Sequence, residues 1–245
     1  MAEHQPTAVR YSTTNVTNSK ESQSFGWEQP VPVNPFWDTI PYCTATNFLS
    51  HYTPSELSAL PIDTASTAPN PEKYTLLLSL LCAKLSALPP ALHETNPSLW
   101  RSLKQSIFTY QDALGLPEAE TTIREMVEQR SDKQTITMSN VVTLHMLADY
   151  LVKTGQCEEA ERVEREVCAF MDGHERLGRD SPQAINARRI IARAIWGQGE
   201  GRREDARGLI GEIEGIVEGM GEGRFAVYRE EERELNEAMK AGLGA

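Results

Sequence analysis

The chain has 245 residues, 40% of them hydrophobic and 24% charged, a balance that suits a soluble globular protein with room for one large domain or two small ones. Its net charge of -11 argues against nucleic acid or an anionic membrane as the main partner, since both are held chiefly by clustered Lys and Arg. Cys43, Cys82, Cys157 and Cys168 are scattered and form no CxxC pair, which excludes a disulfide framework and predicts reduced thiols, with Cys157 and Cys168 in packing roles.

The first residues, MAEHQPTAVRYSTTNVTNSK, contain no apolar run after a basic start, so no secretory signal is expected. This predicts an intracellular, cytoplasmic chain, in which the Asn15-Val16-Thr17 sequon would carry no glycan. Residues 1–45 are rich in Ser, Thr, Asn, Gln and Pro without periodicity and predict an extended or disordered tail. Phe25, Trp27, Phe36, Trp37 and Tyr42 stand among Pro30, Pro32, Pro35 and Pro41. Such a strip could lie in a groove, or dock on its own domain to cover apolar surface. Residues 46–71 predict a short helix at Pro54–Leu60 and the linker PIDTASTAPNPEK.

From residue 72 to 245 a helical domain is expected. Tyr74, Leu77, Leu78, Leu81 and Leu85 follow helical spacing up to Pro89-Pro90. The run LLLSLLCAKL, Leu76 to Leu85, is too short to span a membrane and reads as a buried helix. Trp100, Leu103, Ile107, Tyr110 and Leu114 make a second stripe, broken at Gly115-Leu116-Pro117, and Ala119, Ile123 and Met126 a third. Leu144, Leu147, Ala148 and Leu151 run up to Gly155, and Ala160, Val163 and Val167 answer them. Ile191, Ala192 and Ile195 precede the glycines 197, 199 and 201, and Ala206, Leu209, Ile213 and Ile216 follow. Phe225, Tyr228, Leu235 and Met239 mark a last helix. Strand alternation is nearly absent, so the fold class is all-α.

The hairpin repeats. Leu147 and Ile191 are 44 residues apart, and Ala160 and Ala206 are 46. LADYLVKTGQCEEAERVEREV resembles a tetratricopeptide repeat of the kinesin light chain type, and LGRDSPQAINARRIIARAI resembles that family's long connection and next helix. Leu147, Ala148, Gly155 and Ala160, then Ile191, Ala192, Gly199 and Ala206, match the signature, and Gly115 to Glu120 is similar to a degenerate third turn. Physical arguments agree: Gly155 suits a left-handed helix stop, the alanines permit close helix crossing, and Ser181-Pro182 suits a helix start.

The resemblance implies a short right-handed superhelix of antiparallel hairpins, a tetratricopeptide-like solenoid, with the helices at 72–88 and 223–241 as caps. It also implies a concave surface carrying His145, Asp149, Lys153, Asn186, Arg189 and Arg193, flanked by Trp196. The two arginines would either take a carboxylate or acidic peptide, or pair with Asp149 and nearby Glu. Where the family has an asparagine that holds a peptide backbone, this chain has Met146 and Ile190.

Other signals read as architecture. GQGEG and GMGEG follow no strand and predict turns rather than a phosphate cradle. Helix pairing with Asp and Glu is expected to account for most of the arginines at 176, 179, 188, 189, 193, 202, 203 and 207. Glu158, Glu159, Glu161 and Glu164 read as a solvated face, and His145 with Asp149 lacks a third ligand for a metal. With no HExxH or GxSxG and no catalytic constellation, a non-catalytic intracellular adaptor or scaffold is expected, needing no cofactor and binding a protein or peptide partner rather than nucleic acid or membrane. The alternative is an accessory protein of a biosynthetic pathway that binds a small apolar molecule or docks on an enzyme. A further reading has the aromatic tail occupying the groove.

Overall fold

A computed structural model describes residues 9–10, 30–129, 135–221 and 223–244. The expectations placed on Phe25, Trp27 and the sequon lie outside these residues. Among the described residues the protein is helical almost throughout, apart from one antiparallel pair, β1 (Val9–Arg10) with β2 (Val31–Pro32). No helix among them is long and apolar enough to cross a membrane. The chain divides into two compact units, Met1–Thr122 and Ile123–Ala245.

The N-terminal unit holds α1 (Pro35–Asp38), α2 (Tyr42–Leu49), α3 (Pro54–Ala59), α4 (Asn70–Ser86), α5 (Leu92–Thr95) and α6 (Pro97–Ala113). Residues 30–45 depart from the expected tail. Pro35 begins a helix, where its missing N–H costs nothing, and the Asn34 side chain accepts from the backbone N–H groups of Phe36 (3.1 Å) and Trp37 (3.2 Å). Phe36, Trp37, Ile40, Ala45 and Phe48 are buried, so the aromatic residues that looked like a loose strip form core. Lys73 of α4 lies beneath them, fully buried. Its Nζ donates to the carbonyls of Pro35 (2.9 Å) and Phe36 (2.8 Å) and to Thr39 Oγ1 (3.0 Å), which holds the last turn of α1 against α4. The apolar run of α4 buries only Leu77 and Leu81 completely.

The unit boundary falls within α7 (Glu118–Glu128), which buries Ala119, Ile123 and Met126 at the expected spacing. The C-terminal unit continues with α8 (Val141–Lys153), α9 (Cys157–Gly173), α10 (Pro182–Gly197), α11 (Arg203–Gly219) and α12 (Arg229–Leu243). From α8 to α12 consecutive helices pack in sequence, and α10 also touches α8 and α12. The breaks are those the sequence marks. Gly155 stops α8 at φ 80°, and Ser181 caps α10 by accepting from the Ala184 N–H at 3.2 Å.

Helix α10 is the centre of this unit. It carries Ala or Ile on most of its circumference, and small residues on several sides let four helices close on it. One contact is tighter than an alanine allows: a Cβ added at Gly197 would stand 2.4 Å from Cys157 Sγ at the start of α9. Cys157 and Cys168 are buried and all four cysteines are unpaired.

Candidate functional site

The facing sides of α8 and α10 bring together most of the residues the sequence singles out. On α8, His145, Asp149 and Lys153 lie one turn apart on one stripe. Lys153 Nζ pairs with Asp149 Oδ2 at 2.8 Å, and Arg193 Nη2 from α10 donates to Asp149 Oδ1 at 2.6 Å. Burial works to raise the Asp149 carboxyl, but the two cations outweigh it and hold it below the usual carboxylate range. One turn earlier on α8 and two turns earlier on α10, the exposed Asn186 places Nδ2 2.9 Å from His145 Nε2.

Arg189 pairs with a glutamate, one of its two expected outcomes, but away from the expected surface. It is only 5% exposed and turns toward α12, where Nη2 donates to Glu232 Oε2 at 2.5 Å and to the Glu232 carbonyl at 2.9 Å, and Nε donates to Asn236 Oδ1 at 2.6 Å. The sequence placed Arg189 on the correct helix but could not show that a later helix covers it. Burial raises the Glu232 carboxyl against the pull of this guanidinium. Trp196 is half-buried beside the core, with the guanidinium carbons of Arg203 and Arg207 at 5.0 and 5.6 Å from its ring centroid.

Seven of the eight clustered arginines do reach carboxylates: Arg179, Arg188, Arg189, Arg193, Arg202, Arg203 and Arg207. Arg188 is buried and grips Asp172 with two nitrogens, at 3.0 and 2.6 Å, and Glu212 with a third at 3.2 Å.

Glu164 is the residue that sequence reasoning missed. Assigned to the solvated face of α9, it is in fact 0% exposed, with Oε1 2.6 Å from His145 Nδ1 and Oε2 without a hydrogen-bond partner. Its position carried a signal, because it lies four residues after Ala160 and four before Cys168, in the apolar stripe. Burial raises its carboxyl to about 7, against the lowering effect of the His145 hydrogen bond.

In the N-terminal unit a buried pair looks catalytic but has the wrong polarity. Ser106 Oγ donates to the Asn47 carbonyl at 2.8 Å, so His51 Nε2, also at 2.8 Å, is the donor to Ser106 rather than its base. Burial, helped by the charge of Lys84, lowers the His51 pKa to about 4.

Two surface depressions, of about 450 and 240 Å³, lie beside the candidate face and not on it. Glu158 and Glu159 line the first, and Arg124, Glu128, Arg162 and Glu166 surround the apolar floor of the second. Among the described residues no group of three His, Cys, Asp or Glu side chains could hold a metal ion. No family model, no curated protein and no solved structure matches the chain.

Proposed function

We propose that the C-terminal unit is a short solenoid of tetratricopeptide type, and that the protein is a non-catalytic intracellular adaptor which receives a protein or peptide segment on the α8/α10 face. Alternate helices α8, α10 and α12 are joined side to side through His145–Asn186, Asp149–Arg193 and Arg189–Glu232, the lateral relation that such stacking requires. The observation that carries the binding reading is Arg193. Its side chain is 31% exposed and only Nη2 is engaged by the protein, so Nε and Nη1 remain free to donate to a partner's carboxylate or backbone carbonyl. The charged rims of the two depressions speak for a peptide over a small apolar molecule.

The test is quantitative affinity purification with the full chain, Arg193→Glu, and Arg207→Glu as an exposed control on α11. The reading expects a set of proteins retained by wild type and by Arg207→Glu and depleted with Arg193→Glu. Identical sets for all three, with Arg193→Glu still folded by circular dichroism, would exclude the α8/α10 face as the binding surface.

A further inference from the structure

The chain of hydrogen bonds from Glu164 through His145 to Asn186 runs from a fully buried group to an exposed one. Its polarity follows from the chemistry of the groups. An ionised Glu164 can only accept, so His145 Nδ1 carries the ring proton, Nε2 is a bare acceptor, and Asn186 meets it with Nδ2. The Asn186 carbonyl oxygen is then the group left for a partner.

We propose that the His145–Glu164 pair is a proton-operated switch, in which one added proton turns the exposed Asn186 amide from presenting its carbonyl oxygen to presenting its amino group. The outcome does not depend on which member of the pair holds the charge. If His145 becomes imidazolium, Nε2 bears hydrogen. If the proton passes to Glu164 Oε1, that hydroxyl donates to Nδ1, and the neutral ring carries its hydrogen on Nε2. A proton on Oε2 would avoid this, but Oε2 has no acceptor. In both remaining forms Nε2–H faces Asn186, and two donors cannot share a hydrogen bond, so the amide rotates to bring Oδ1 to the ring.

The surrounding charges leave this exchange to the pair. Asp149 on α8 stays ionised between Lys153 and Arg193 of α10, and the Cys168 thiol of α9 is pushed up to about 11 by burial and stays neutral. Asp149 favours proton uptake by Glu164 and Arg193 opposes it. Desolvation of the carboxyl places the exchange near neutrality. A partner would then meet an acceptor at high pH and a donor at low pH. That consequence rests on the binding reading above, whereas the switch itself does not.

The test is NMR on the intact, isotope-labelled protein without any partner. At about pH 8.5 a scalar coupling across the hydrogen bond should join Asn186 Nδ2 to His145 Nε2, and by about pH 5.5 it should vanish as Nε2 gains hydrogen and the Asn186 amino resonances shift. Glu164→Gln should displace that transition, because the amide removes the buried carboxyl that exchanges the proton with the ring. A coupling that persists at low pH, or an Nε2–H ring at every pH, would overturn the proposal in wild type alone. An unmoved transition in a folded Glu164→Gln protein would overturn the role of Glu164.

Discussion

Replacing Glu164 with Gln should change how the stability of the C-terminal unit depends on pH. The carboxyl is raised from the ordinary 4.5 to about 7 by burial, and at about 1.4 kcal/mol per unit this corresponds to about 3 kcal/mol. The sign is that of a raised acid. The folded state keeps a proton that the unfolded chain has already released, so the contribution is fully present below about pH 4.5 and is lost as pH rises through about 7. The unit should therefore be about 2.5 kcal/mol less stable at pH 8 than at pH 5 on account of this residue, and Glu164→Gln should remove the difference. Trp196 is the only tryptophan of this unit. Fluorine NMR of 5-fluorotryptophan-labelled protein through urea series at several pH values therefore reads it alone. A Trp196 transition with the same pH slope in wild type and Glu164→Gln would refute the reasoning.

The N-terminal unit should respond in the opposite sense. His51 is lowered from 6.5 to about 4, so its contribution is present above about pH 6.5 and lost as pH falls through 4; Trp100 should report that loss, and His51→Gln should flatten it. Arg189→Met and Glu232→Leu should each cost about 3–5 kcal/mol in urea unfolding by stranding a buried charge, while the double variant recovers most of it. Gly197→Ala should destabilise by about 1–3 kcal/mol through its contact with Cys157 Sγ, and Cys157→Ala should relieve the loss.

The helices were legible in the sequence wherever a stripe ended at a chemically decisive residue. Gly155 does stop α8 in the left-handed region, and Ser181 does cap α10. The site was half legible: helical spacing puts His145, Asp149, Asn186 and Arg193 on one stripe of each helix, and the pairing of Arg193 with Asp149 is one of two outcomes that the sequence allows. Spacing describes a helix in isolation, however, and does not say which other helix will cover a polar residue. Arg189 is buried because α12, some forty residues later, brings Glu232 and Asn236 to it, and Glu164 is buried because α8 closes over it with His145. Residues 30–45 misled for a related reason. Composition reads Pro and Asn as disorder, yet Asn34 and Pro35 form a helix start whose aromatic residues find a core through Lys73.

Photocrosslinking is the direct test of a partner lying along α8 and α10. A photoreactive amino acid at the position of Asn186, compared in cells with one at the position of the exposed Arg207 on α11, should give discrete covalent adducts from 186 and none in common from 207. Adducts from 207 alone, or the same adducts from both positions, would contradict it.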